Sequence, residues 1–73
     1  MEIKVECYSS GEYADRPVAL WWEEERLPVA QVLAEARLPA AKRFTLRTAD
    51  GQRWVIEYRF DREQWQLIES SAG

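Results

Sequence analysis

Three consecutive glutamates, Glu23 to Glu25, are the residues best suited to acid–base chemistry. Paired carboxylates act as a general acid and a general base when they flank a substrate. Consecutive acids at a turn normally remain in water, so we interpret this triplet as a solvated turn. The chain has no histidine and one cysteine, Cys7, which gives it neither a base for a thiol nor a set of zinc ligands. We expect no enzymatic activity, no metal and no cofactor.

Four arginines suited to binding anions lie at odd-numbered positions of the two strands, Arg43, Arg47, Arg53 and Arg59. In the hairpin register derived below they share one face, with Arg47 directly opposite Arg53 and Arg43 opposite Glu57. Like charges directly opposed in a ladder are destabilising. One interpretation is that the pair is tolerated, because it is exposed or because a neighbouring glutamate relieves the repulsion. The other is that it forms a small anion or phosphate site, since guanidinium groups bind such ligands bidentately.

Trp21 is the second candidate binding residue, because it is followed directly by Trp22 and neighbours in a regular strand face opposite sides. Trp22 shares its parity with Val18 and Leu20, which leaves Trp21 on the outer face. Two interpretations remain open. Trp21 packs beneath the loop at 9–17, or it anchors a partner, since exposed tryptophan is favoured at interfaces.

Length and composition indicate one domain, 1–73, with a thin core. The single cysteine excludes an intramolecular disulfide, and the N-terminus has no apolar run typical of a signal peptide or a membrane span. We therefore expect a cytoplasmic protein without membrane association. The net charge is −3, and the acids are concentrated in residues 1–25, which makes a broad nucleic-acid groove unfavourable.

The elements that position the arginines are two strands joined at Asp50-Gly51. A two-residue loop would place Leu46 opposite Val55, with the aromatic residues on the other face. A three-residue loop places Leu46 opposite Trp54 and Gly51 in the left-handed position of a bulge, which gives one apolar face. We therefore predict the three-residue loop, which also pairs Phe44 with Ile56. A loop at Asp61–Gln64 is predicted next, pairing Phe60 with Trp65 and Tyr58 with Leu67.

The first half of the chain predicts further strands around Ile3–Cys7, Val18–Trp22 and Arg26–Val29. Pro28 lacks an amide proton, so its strand should lie at an edge, at least locally. Residues 29–37 are ambiguous: their spacing and composition favour one short helix ended by Pro39, and a strand is the alternative. The prediction is an all-β domain, a small antiparallel partly open barrel or roll of five to six strands, with at most one short helix.

Several segments together resemble small bacterial proteins of unknown function. They are Val5–Ser9, Arg16-Pro17, Leu27–Leu33, Phe44–Gly51 and Trp65–Leu67. A similar module lies near the C-terminus of Y-family-polymerase-like mutagenesis proteins. The resemblance implies a six-stranded barrel or roll, a strand at Val29–Leu33, and no catalytic residues. The chain departs from that pattern at Glu23–Glu25, where a glycine-rich turn is common, and at Ala34–Ala36.

These observations predict a non-catalytic binding or adaptor module that contacts a protein through Trp21 or the arginine face. The alternative is a nucleic-acid-associated barrel, linked by the resemblance to DNA repair or translesion synthesis. We expect a monomer or a weak dimer.

Overall fold

The computed structural model describes residues 2–8 and 16–71, which form six strands and no helix. The strands are β1 (Glu2–Tyr8), β2 (Arg16–Trp22), β3 (Glu25–Leu38), β4 (Ala41–Thr48), β5 (Arg53–Arg59) and β6 (Gln64–Ser70). Each strand pairs antiparallel with the next, and β6 pairs with β1 to close a barrel. The predicted small antiparallel barrel is confirmed. Most of the predicted 9–17 loop lies outside the described residues.

The described residues contain no helix long and apolar enough to cross a membrane.

The β4–β5 hairpin has the register predicted from the apolar pattern. Leu46 lies opposite Trp54, and Phe44 lies opposite Ile56. The Thr48 amide donates to the Gln52 carbonyl at 3.0 Å, and Gly51 has a φ of 89°. These are the features of a three-residue loop that ends in a left-handed residue.

The predicted β5–β6 register is wrong by two residues, because the loop begins one residue earlier than predicted. The loop occupies residues 60–63, so Tyr58 lies opposite Trp65 and Ile56 opposite Leu67. Glu63 ends this loop with a φ of 52°. The observed and the predicted pairings place the same side chains inside, so the apolar pattern did not distinguish them.

The helix expected at residues 29–37 is absent, because this segment continues β3 and pairs with β4. Two irregularities in the β3–β4 register leave Ala30 and Leu33 as extra residues. Each bulge shifts the inward-facing positions by one residue, so Val29 and Val32 both pack against the core. Inward residues three apart imitate the spacing of a helix, which explains why spacing favoured a helix; the strand left as the alternative, which the resemblance also implied, is the one observed.

Large side chains from all six strands fill the barrel. Trp54, Phe44, Leu20, Leu46 and Ile56 are fully buried, and Trp65 and Tyr58 are nearly so. The rings of Tyr58 and Trp65 lie 5.1 Å apart, and those of Phe44 and Trp65 lie 5.7 Å apart. Burying one aromatic side chain contributes about 4–6 kcal/mol as an upper bound. The predicted core roles of Trp54 and Trp65 are confirmed.

Candidate functional site

On half of the arginine face, Arg43 and Arg59 both pair with one buried acid, Glu57, which is 4% exposed. Arg43 lies opposite Glu57 as predicted and donates to its Oε2 through Nη2 at 2.8 Å and through Nε at 3.1 Å. Arg59 Nη1 lies 3.4 Å from Glu57 Oε1. Because a buried carboxylate without partners is strongly unfavourable, these two arginines have a structural reason to be there.

The other half of the face holds Arg47 and Arg53, directly opposite each other as predicted. Both side chains are exposed. The adjoining Thr48–Gln52 pair is hydrogen-bonded, so the alternation of an antiparallel ladder makes Arg47–Arg53 a non-hydrogen-bonded pair, in which side chains lie closest. Arg47 Nη2 donates to Gln31 Oε1 at 2.6 Å. Neither arginine forms an ion pair with a described acid.

Trp21 lies on the outer face and Trp22 packs against the core, as the strand parity predicted. Trp21 is half-buried, and among the described residues it contacts Glu6 and Lys4 of β1. Its Nε1 donates to Glu6 Oε2 at 2.9 Å, and Lys4 Nζ lies 5.2 Å from the ring centroid. Arg26 Nε also donates to Glu6 Oε2, at 2.9 Å. This cluster satisfies the indole, so Trp21 is a weaker candidate anchor than its position in the sequence indicated.

The pKa of the Glu6 carboxyl responds to the contacts of this cluster. Hydrogen bonds from Arg26, and then from the Trp21 indole, lower the pKa of Glu6 below its ordinary value of 4.5. The first interpretation of Trp21 was that it packs beneath the 9–17 loop, and residues 9–15 of that loop lie outside the described structure. The described neighbours of Trp21 on the outer face are Glu6, Lys4 and Arg26.

The structure has a groove between β2 and β3 that the sequence analysis did not predict. β2 and β3 pair only as far as Ala19 and Pro28, whereas β3 continues to Leu38. Beyond Pro28 the described residues of β3 pair with β4 alone. Pro28 has no amide proton for a ladder, and the pairing with β2 ends at this residue. The edge lies beyond Pro28, which still pairs with Ala19, and the missing proton does not cause it: the Pro28 carbonyl accepts from the Ala49 amide at 2.8 Å, so the polar side of its backbone faces away from β2.

This β2–β3 groove has a volume of about 800 Å³. Its lining includes Pro17 and Val18 of β2, Val29 and Val32 of β3, and Lys42 and Phe44 of β4. Val18 is exposed although Leu20 and Trp22, which share its parity, point into the core. Gln31 and Glu35 of β3 and Arg16 of β2 also line it, so the groove is an opening in the barrel wall that combines apolar and polar side chains, beside a strand edge.

The backbone direction along this edge follows from the β3–β4 hairpin. Leu38 and Ala41 close a two-residue loop, so they form a hydrogen-bonded pair. Alternation then directs the N–H and C=O of Ala36 toward β4. The same groups of Glu35 and Arg37 point to the opposite side, where no described strand pairs with them. The backbone donors and acceptors of these two residues therefore have no partner strand in residues 2–8 and 16–71, and Glu35 lines the groove.

Charged groups at the groove are mainly basic. Arg16 lines the groove, is exposed and forms no ion pair with any residue in the described ranges. Lys42 Nζ lies 3.1 Å from Glu35 Oε1, at the groove wall. The lining therefore has a small positive excess in a chain whose net charge is −3.

No cluster of three potential metal ligands occurs in residues 2–8 and 16–71. Comparisons with known proteins found no matching family model, no matching curated protein and no matching solved structure. The resemblance to the polymerase-linked module therefore stays a prediction.

Proposed function

We propose that this domain is a non-catalytic binding module that accepts an extended segment of a protein partner as an added strand along β3. The observation that carries the proposal is the backbone edge at Glu35 and Arg37, with which no described strand pairs and which lies beside the β2–β3 groove. An added strand gains main-chain hydrogen bonds from such an edge, and its alternate side chains enter neighbouring pockets.

The groove defines the chemistry of that segment. Side chains that point into the opening meet Val18, Val29 and Val32, so they are apolar. A residue near the mouth meets Arg16, which forms no ion pair with a described residue and favours an acidic side chain. The expected partner is a protein segment in extended conformation that combines apolar and acidic residues.

The same edge also shows protection against indiscriminate pairing. Bulges at Ala30 and Leu33 interrupt its first part, and the regular part carries the charged residues Glu35 and Arg37. Natural proteins use bulges and charges to prevent exposed edges from aggregating. Recognition is therefore restricted to segments whose side chains complement the groove.

A second opening, of about 410 Å³, lies between the start of β1 and the start of β6. It is about half as large, and we therefore assign recognition to the β2–β3 groove.

A matched pair of variants at Glu35 separates edge recognition from side-chain effects. Glu35→Pro and Glu35→Ala both remove the contact with Lys42, but only proline removes the amide proton that points to the free edge. Peptides are first selected from a displayed library of random extended sequences against the unmodified domain. Their affinities for the domain and the two variants are then measured by calorimetry.

The proposal predicts apolar and acidic consensus positions in the selected peptides. It also predicts at least about tenfold weaker binding to Glu35→Pro and binding to Glu35→Ala within about twofold of the original, since one lost hydrogen bond near 1.4 kcal/mol corresponds to a factor of ten. Equal binding to both variants, or a library that yields no binder, would contradict it.

A further inference from the structure

We infer that Arg47 and Arg53, together with Gln31, form a binding site for a phosphate group on the outer face of the barrel. The three side chains occupy one row across β3, β4 and β5. Gln31 also lines the β2–β3 groove, whereas Arg47 and Arg53 do not, and the inference does not depend on strand addition at the β3 edge.

The two halves of the arginine face provide an internal comparison. Where Arg43 and Arg59 approach each other, the chain supplies Glu57 between them, at 2.8 and 3.4 Å. Where Arg47 faces Arg53, it supplies no acid within ion-pair distance among the described residues. Opposed like charges lower stability, so the missing counter-charge points to a ligand.

The geometry fits one tetrahedral oxyanion. Side chains of a non-hydrogen-bonded pair lie closest in an antiparallel ladder, so the two exposed guanidinium groups can converge on a single ligand. Gln31 accepts from Arg47 through Oε1, which fixes that guanidinium and leaves the Gln31 amide nitrogen as a further donor. The row therefore offers donors only, as a fully ionised phosphate requires.

The nearest acid on the neighbouring strand does not close this site. Glu69 of β6 lies opposite Val55, one position further along the face than Arg53. It forms no ion pair with Arg53. At the end of β6, Ser71 instead binds the Arg53 backbone, donating its amide to the Arg53 carbonyl at 2.9 Å. This contact holds the backbone of Arg53 and leaves its guanidinium group exposed.

Titration of the domain with inorganic phosphate at low ionic strength tests the inference. Amide resonances of Arg47, Arg53 and Gln31 are followed by NMR, with sodium chloride of equal ionic strength as the reference. The test variant is Arg47→Gln/Arg53→Gln, and the control is Arg62→Gln, an exposed arginine in the β5–β6 loop. We expect saturable shifts in the domain and in the control, and at least a tenfold loss of affinity in the double variant.

A short oligothymidylate distinguishes a phosphodiester from a free phosphate. If the natural ligand is a nucleic-acid backbone, the oligonucleotide binds more tightly than inorganic phosphate, with a log–log salt slope of about −1.4 for two contacts to a single strand. If the ligand is a free phosphate or a monoester, the oligonucleotide shows no such advantage. Both results require loss of binding in the double variant. Phosphate binding that survives in that variant, or no saturable binding at all, would overturn the inference.

Discussion

The indole Nε1 of Trp54 donates a hydrogen bond of 3.0 Å to the Thr48 hydroxyl, across the base of the β4–β5 hairpin. Both residues are fully buried. The Thr48 hydroxyl donates in turn to Asp50 Oδ1, and the Gln52 amide donates to the same oxygen at 3.3 Å. This chain of hydrogen bonds joins the largest core side chain to the turn that sets the hairpin register.

Thr48→Val removes the middle of that chain while preserving the branched shape of the side chain. It leaves the buried Trp54 indole without its acceptor, so we expect the free energy of unfolding to fall by about 1–3 kcal/mol. Thr48→Ser keeps the hydroxyl and should cost clearly less. Denaturant unfolding measures both variants, and a valine variant as stable as the serine variant would contradict the role of this hydrogen bond.

Gly51→Ala tests the backbone conformation of the loop apart from any steric contact. A Cβ at Gly51 would meet nothing within 4 Å, but the residue has a φ of 89°. The expected loss of unfolding free energy is about 1 kcal/mol, because left-handed backbone is costly for residues with a side chain. Gly51→Asn should cost less, since asparagine tolerates this region. Equal stability of Gly51→Ala and the unmodified domain would be inconsistent with the loop geometry.

The β2–β3 turn is a site for a stabilising substitution. Glu23 and Glu24 have φ values of 50° and 69°, and two-residue hairpin loops with two positive φ angles favour asparagine and glycine. Glu24→Gly should raise the free energy of unfolding by about 0.5–1 kcal/mol, because relief of strain exceeds the added entropy of the unfolded chain. Glu25→Gly, at the start of β3, is the control and should destabilise. The prediction fails if Glu24→Gly lowers the thermal midpoint.

Acid should weaken the fold through two surface carboxylates. The Thr48 hydroxyl, and then the Gln52 amide, lower the pKa of Asp50 below its ordinary value of 3.8, and Arg26 lowers that of Glu6 below 4.5. A folded-state pKa below the unfolded value contributes stability above the unfolded pKa. That contribution is lost as the pH falls through the folded pKa. Stability should therefore be constant near neutral pH and decline below about pH 4.5.

The pH effect can be assigned with Glu6→Gln and Asp50→Asn. Each substitution should reduce the decline in unfolding free energy between pH 4.5 and pH 2, and the double variant should reduce it most. An unchanged pH profile in the double variant would mean that other carboxylates dominate acid unfolding.

The β4–β5 register could be predicted because parity and Gly51 agreed on one loop length. The β5–β6 register could not be predicted in this way. Moving the loop by one residue displaces the pairing by two residues, which leaves Tyr58 and Trp65 inside the barrel. Residues 29–37 stayed ambiguous between helix and strand because the bulges of β3 place Val29 and Val32 on the same face. Local pattern reasoning assumes regular strands, and a bulge breaks that assumption without leaving a glycine or a proline at the site.

The candidate surfaces were predictable to different extents. Opposition of Arg47 to Arg53 followed directly from the register. The β2–β3 groove did not, because it depends on where β2 and β3 separate, which is a property of the closed barrel. Pro28 lies where that pairing ends, but its missing amide proton faces away from β2, so it did not signal the separation.

Amide hydrogen exchange along β3, followed by NMR in the free domain and with a selected peptide, tests the strand-addition proposal most directly. In the free domain Glu35 and Arg37 should exchange rapidly, whereas Ala36, which is bonded to β4, should be protected. Adding the peptide should slow exchange at Glu35 and Arg37 and leave Ala36 unchanged. Amides at 35 and 37 that are already protected in the free domain, or that gain no protection when the peptide binds, would contradict the account.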